Sequence, residues 1–238
     1  MSMFAEIESD ILAHANPLKA LILKRFFKTG PGGYGEGDTF LGIIVPVQRE
    51  IGKKYYNLKL SDLQKLIKSK IHEARLIALF ILVHQYKKAA LDDKKKYVDF
   101  YIKNKSYVNN WDLVDSSAHL ILGDSLLDKP GKILFSLAKS ESIWDRRIAV
   151  LSSLAFIRKG QFGTTLKLAQ LLLNDKHDLM HKAIGWMLRE IGNRNEEILE
   201  GFLDEYAATM PRTMLRYAIE KFPEKKRKYY LGAKSRSL

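Results

Sequence analysis

The sequence contains no cysteine. Its absence excludes a disulfide framework, a thiolate nucleophile and cysteine-ligated zinc, and it suits a reducing compartment. Proline is scarce, at 6 of 238 residues, and none falls inside a helical pattern. Pro17, Pro46, Pro211 and Pro223 read as first residues of helices, Pro31 lies in a glycine cluster, and Pro130 follows a helix end. Runs of strict apolar and polar alternation are missing, so no strand is expected. The longest apolar run, Leu76 to Val83, is far short of a bilayer span. Acids stand near the N-terminus where a secretory signal carries positive charge. These absences predict a soluble, cytoplasmic protein with a single domain over residues 1–238, of which 229–238 form a flexible basic tail.

Charge is abundant and one-sided. Forty Lys and Arg face 27 Asp and Glu, a net +13. Such an excess concentrates polyanions near the surface, nucleic acid first and anionic membrane second. Within the tail, Tyr229 and Tyr230 read as docking residues of a last helix.

Apolar residues recur at spacings of three and four. Ile71, Ala74, Ala78, Ile81 and Leu82 form one face; Ile143, Ile148, Leu151, Leu154 and Ala155 another; Leu179, Ala183, Trp186 and Met187 a third. The class is all-α. The helices also repeat: ARLIA at 74–78 resembles RRIAV at 146–150, HKAIG at 181–185 and LRYAI at 215–219. Arg75, Arg147, Lys182 and Arg216 then stand 72, 35 and 34 residues apart. A period in the mid-thirties implies stacked helical hairpins, a HEAT-like solenoid with a concave basic groove lined by those four cations.

The cluster TGPGGYGEGDTFLG, residues 29–42, matches neither a dinucleotide fingerprint nor a phosphate-binding loop. It reads as a flexible inter-helix loop whose backbone amides can also meet phosphate. His177 and His181 have the spacing of a helical metal pair but lack a third ligand, and His72-Glu73 begins the same pattern without a second histidine. No metal and no cofactor is expected.

The stretch YVNNWDLVDSSAH, residues 107–119, places Trp111 and Asp115 four apart, one turn from each other on a helix. Asn109, Asn110 and Asp112 read as capping residues. Asp115 lies too deep to cap and is the candidate for chemistry.

NNWDLVDSSAHLILG at 109–123, SIWDRRIAVLSSLAFI at 142–157 and HKAIGWMLREIG at 181–192 together resemble the AlkD family of bacterial DNA-alkylation-repair glycosylases, as does the glycine-rich segment 26–46. The resemblance covers nearly the whole chain. It implies a HEAT-like array gripping duplex DNA, and release of N3- or N7-alkylated purines. By the same resemblance, Trp111, Asp115 and Trp186 match the catalytic cleft and Arg147 a backbone-contacting arginine. Lys182, Arg146, Arg189 and Arg216 are further candidates for DNA contact. Where some members carry a tyrosine this chain offers Phe26 or Phe27, which removes a hydroxyl.

The chemistry is coherent with few groups. A purine alkylated at N3 or N7 is already cationic and leaves without a general acid, unlike the leaving group of an ordinary glycosidase. Asp115 can stabilise the oxocarbenium-like sugar and position water, and two indole faces add about 0.5–2 kcal/mol each. With no desolvated Schiff-base lysine in view, a monofunctional enzyme leaving an abasic site is expected, acting as a monomer on alkylated double-stranded DNA. A non-catalytic HEAT-like protein binding branched or distorted DNA, and a protein-interaction scaffold, are the alternatives.

Overall fold

A computed structural model describes residues 2–127, 129 and 131–232. Lys234 and Arg236 of the basic tail, and Pro130, lie outside the described residues. The chain is all-α, as the periodicity predicts, and its described residues hold no named strand, only an isolated bridge between Thr39 and Ile71. Contacts divide it into two units, Met1–Ser117 and Ala118–Leu238.

The first unit runs through α1 (Met3–Ala13), α2 (Pro17–Phe26), α3 (Val45–Lys54), α4 (Leu60–Ile67), α5 (His72–Lys88), α6 (Lys94–Lys103) and α7 (Trp111–Asp115). Helix α5 is its axis, packed against α3, α4, α6 and α7. Its sequence, HEARLIALFILVHQYKK, is apolar on nearly every side, and residues 72–79, 81–83 and 86 are all buried. A helix without a polar face belongs inside. The single apolar face read from the sequence is therefore too narrow: neighbours surround α5, and they bury His72, Glu73 and Arg75 with it.

The second unit contains α8 (Leu122–Ser125), α9 (Lys132–Ala138), α10 (Ile143–Ser152), α11 (Leu154–Arg158), α12 (Gly163–Leu171), α13 (Asp178–Gly192), α14 (Glu196–Tyr206), α15 (Arg212–Ala218) and α16 (Glu224–Leu231). Helix α13 takes the central role here, against α10, α11, α12, α14 and α15. Tyr230 anchors α16: it is buried, its hydroxyl donates to Asp204 Oδ1 at 3.0 Å, and burial pushes its pKa up. Tyr229 is exposed, so one of the two tyrosines docks the helix rather than both.

Caps and prolines delimit the helices within a residue of the expected points. Pro17 opens α2 behind Asn16, whose side chain accepts from the Lys19 amide at 3.0 Å. Pro46 is the second residue of α3, while Pro211 and Pro223 sit one residue before α15 and α16. A ring with no N–H costs nothing at any of these places, because the first-turn amides have no helical acceptor.

Gly185 sets how closely α13 approaches α15. A Cβ there would stand 2.5 Å from the Met214 carbonyl oxygen and 2.5 Å from Tyr217 Cβ. Gly201, within α14, has nothing within 4 Å of the same position. We therefore expect Gly185→Ala to lower unfolding free energy by about 1–3 kcal/mol through overpacking, and Gly201→Ala to raise it by about 0.5–1 kcal/mol through helix propensity. Urea denaturation of both variants tests this; equal effects would contradict the close approach.

Candidate active site

Trp111 and Asp115 stand on α7, a helix of one turn. Asn110 precedes it and accepts the Trp111 amide at 2.8 Å through its side chain, the expected cap. Trp111 opens the turn and Asp115 ends it, so indole and carboxylate are one turn apart as their spacing predicts. Leu113 and Val114 are fully buried beneath them, while Trp111 and Asp115 are half-buried. The apolar pair fixes which side of the turn faces the core.

Asp112 does more than cap. Its Oδ1 accepts the Leu113 amide at 2.9 Å, and its Oδ2 lies 2.8 Å from His72 Nε2. The other imidazole nitrogen, Nδ1, lies 2.9 Å from Asp38 Oδ2. Arg75 donates to the second Asp38 oxygen at 2.7 Å and to the Ser69 carbonyl at 2.9 Å. His72 and Arg75 are 1% and 3% exposed. Burial opposes charge on His72, but the Asp112 and Asp38 carboxylates outweigh it and hold its pKa above the ordinary value. Burial likewise opposes charge on Asp38, yet His72 and Arg75 keep its pKa below the usual carboxylate value.

The neighbouring acid secures the glycine-rich segment. Glu73 is fully buried, and its Oε1 accepts the amides of Leu41, Gly42 and Ile43 at 3.1, 2.8 and 3.3 Å. Backbone pairing adds Thr39 N–H to Lys70 O at 3.0 Å and His72 N–H to Thr39 O at 2.8 Å. Gly42 has φ +84°, and a Cβ on it would stand 2.1 Å from the Asn16 carbonyl oxygen, so only glycine fits where the segment meets α2. The loop expected to be flexible is thus strapped to α5 over residues 38–43, and of the backbone amides expected to be able to meet phosphate, those of Leu41 and Gly42 already have an acceptor in Glu73.

Aromatic rings join the strap to α7. Phe27 is stacked on Trp111, with centroids 5.3 Å apart and planes 13° from parallel. Phe40 stacks on Phe27 at 4.9 Å and on His72 at 4.5 Å. Phe26 meets Trp111 edge-on at 5.8 Å and is 60% exposed, whereas Phe27 is buried. Both phenylalanines named from the sequence therefore touch Trp111, and Phe26 is the one that faces solvent.

In the second unit, α13 carries Lys182, Trp186 and Arg189, α10 carries Arg146 and Arg147, and α15 carries Arg216. Trp186 is half-buried and its indole N–H donates to Glu190 Oε1 at 3.2 Å. Arg147 is 5% exposed and donates to the Leu179 carbonyl at 2.7 Å. Arg146 is tied to Asp175 at 2.7 Å and to the carbonyls of Ser140 and Glu141. Arg189 pairs with Glu220. Lys182 pairs with Asp178 at 2.7 Å across one turn, both partly exposed, an arrangement that contributes little in water. Arg216 is exposed. Arg75, expected to lie in line with Arg147, Lys182 and Arg216 along a groove, is instead a buried partner of Asp38.

The two histidines with metal-like spacing have other work. His177 precedes α13 and accepts the Leu179 amide through Nδ1 at 3.1 Å; burial lowers its pKa. The His181 ring reaches the Asp175 carbonyl.

A family model described as DNA alkylation repair enzyme matches residues 7–222 of this chain. Among solved structures, one described as a predicted DNA alkylation repair enzyme from Enterococcus faecalis superposes with a TM-score of 0.70 at 18% identity. It covers 89% of this chain and 98% of its own. That likeness supports the fold. No curated protein matches.

Glu73 generates a prediction of its own. Glu73→Ala leaves three amide donors without their acceptor, and we expect it to lower stability by at least about 1–3 kcal/mol. Hydrogen exchange at Leu41, Gly42 and Ile43 should accelerate in the variant; unchanged protection would show that these amides have another acceptor.

Proposed function

The chain belongs to the DNA alkylation repair enzyme family, and from that premise we propose that it is a monofunctional DNA glycosylase. It hydrolyses the N-glycosidic bond of cationic N3- or N7-alkylated purines in duplex DNA and leaves an abasic site. The observation that carries this reading is the single turn of α7, which presents Trp111 and Asp115 together beside the exposed ring of Phe26.

The reaction asks little of the protein. The alkylated base carries a positive charge, so the bond from C1′ to the purine nitrogen breaks with its electron pair moving onto the base. The released purine is neutral and needs no proton. Positive charge then accumulates on the sugar. The Asp115 carboxylate stabilises it electrostatically and takes the proton from the water that adds to C1′. Trp111, with one face covered by Phe27, orients its indole toward the same cationic sugar, a contact worth about 0.5–2 kcal/mol. An unmodified purine is too poor a leaving group for this machinery, which supplies the discrimination.

In the second unit, Trp186 is assigned the same kind of aromatic contact. Arg147, Lys182, Arg146, Arg189 and Arg216 are assigned to the phosphodiester backbone. The net charge of +13 supports a polyanionic partner. Phe26 lacks the hydroxyl that some family members place in this position, so its contact with DNA is apolar.

Asp115→Asn is expected to slow release of 7-methylguanine or 3-methyladenine from methylated duplex by about 10²–10³-fold while leaving duplex affinity unchanged. Chromatography of the freed base checks the first and a binding titration the second. Equal rates in the two proteins would remove Asp115 from the chemistry. An inert wild type that still binds duplex would instead favour the non-catalytic DNA-binding reading. Separately, Arg216→Ala is expected to weaken duplex binding and to reduce the slope of log affinity against log salt by about 1; an unchanged slope would take Arg216 off the DNA.

A further inference from the structure

We propose that His72, held between Asp38 and Asp112, is a positioning residue that sets the placement of the Trp111–Asp115 turn. The inference rests on the glycosylase reading for what that turn does, and on geometry for the rest.

The imidazole has a carboxylate oxygen at each nitrogen, 2.9 Å away on the Asp38 side and 2.8 Å on the Asp112 side. An ionised carboxylate only accepts, so both ring nitrogens must donate for both contacts to be attractive. A neutral ring would set a lone pair against one of the two acids. The charges agree with this. Asp38 and Asp112 contribute two negative charges, Arg75 and a protonated His72 two positive ones, and the buried group is neutral only when the ring holds both protons. Phe40, stacked on the imidazole at 4.5 Å, offers a π face to that cation.

Charged side chains near His72 come from four parts of the chain. The glycine-rich segment contributes Asp38 and α7 contributes Asp112, with Asp115 at the far end of the same turn. On α5 itself stand Arg75 and Glu73, the latter engaged with three amides. From α2, Lys19 lines an apolar cavity of about 320 Å³ that also reaches His72, Glu73 and Asp112.

The consequence for α7 is direct. Asp112 is the second residue of a helix only five residues long, so the Nε2 contact anchors nearly the whole element. The Phe27 stack on Trp111 is carried by the same support, because Phe27 and Phe40 both rest against His72. Loss of one imidazole proton turns an attractive contact into a repulsive one and releases the turn. The sign of the pH dependence follows. The pKa of His72 is raised, so the support is complete below about 6.5, persists above it, and is lost as pH climbs through the raised value. The pKa of Asp38 is lowered, so on the acid side the support is present above its ordinary value and lost only as pH falls through the lowered one.

The test uses the full chain labelled with 5-fluorotryptophan, whose Trp111 signal is assigned with Trp111→Phe. In the wild type that signal is expected to titrate once on the alkaline side of pH 6.5. In Asp112→Asn, which keeps an acceptor but no charge, the transition moves to lower pH; in His72→Gln it disappears. Single-turnover base release should follow the same transition and fall on the order of 10²-fold in His72→Gln at neutral pH, the scale of a small misplacement of reacting groups. A Trp111 signal that does not titrate, or that titrates alike in all three proteins, overturns the inference, as does base release that is measurable in the wild type and equally fast in His72→Gln at every pH. If His72→Gln does not fold, the shift in Asp112→Asn decides the matter alone. A Trp111 titration with the expected shifts in a wild type that releases no base supports the clamp and overturns the glycosylase reading.

Discussion

Asp38, His72, Arg75 and Asp112 are drawn largely out of water in the first unit, with side chains between 2% and 13% exposed. Charges in such surroundings are tolerable only as a closed set. Removing one partner from a buried pair typically costs about 3–5 kcal/mol, because the other is left uncompensated. The imidazole is the member that joins two separate parts of the chain, the end of the glycine-rich segment and the start of the helix bearing Trp111 and Asp115. The aromatic stack from Trp111 through Phe27 and Phe40 lies over the same ring, so packing and electrostatics fix one geometry between them.

This arrangement gives rigidity to elements with little of their own. A five-residue helix has almost no intrinsic stability, since nucleation alone outweighs one or two hydrogen bonds. A segment rich in glycine has the largest backbone entropy to lose. Both are held by the first turn of α5: His72 and Arg75 take Asp38, His72 takes Asp112, and Glu73 takes three successive amides. The most buried helix of the unit therefore serves as the support for its least regular parts. In the proposed reaction, where a cationic purine is already disposed to leave, such support would matter more than a rich set of catalytic groups, because the carboxylate proposed to act at the sugar has to be held in place.

Sequence reading reached the helical class, the cap at Asn110 and the helix starts near the prolines, because each is a local property of spacing and residue type. It also placed Trp111 and Asp115 one turn apart, since four residues on a helix admit no other relation. What escaped it was partnership over distance. His72 and Glu73 looked like an abandoned metal motif, and Asp112 like a cap, because the residues that give them purpose lie 30 to 40 positions away along the chain. Arg75 fitted a regular series of cations with Arg147, Lys182 and Arg216, but periodicity gives a position on a helix and not what covers it. Only the fold of residues 29–42 back onto α5 shows that Arg75 and Asp38 meet. The one legible hint was the density of charge at the head of an otherwise apolar helix, HEAR before LIALFILV, which a buried helix can hold only with partners.

The protonation state of His72 tests this account most directly. Nitrogen-15 NMR of histidine-labelled protein at neutral pH is predicted to show both His72 ring nitrogens protonated, each N–H slow to exchange. A His72 ring with one bare nitrogen under the same conditions would contradict the clamp, and with it the explanation of how the Trp111–Asp115 turn is held.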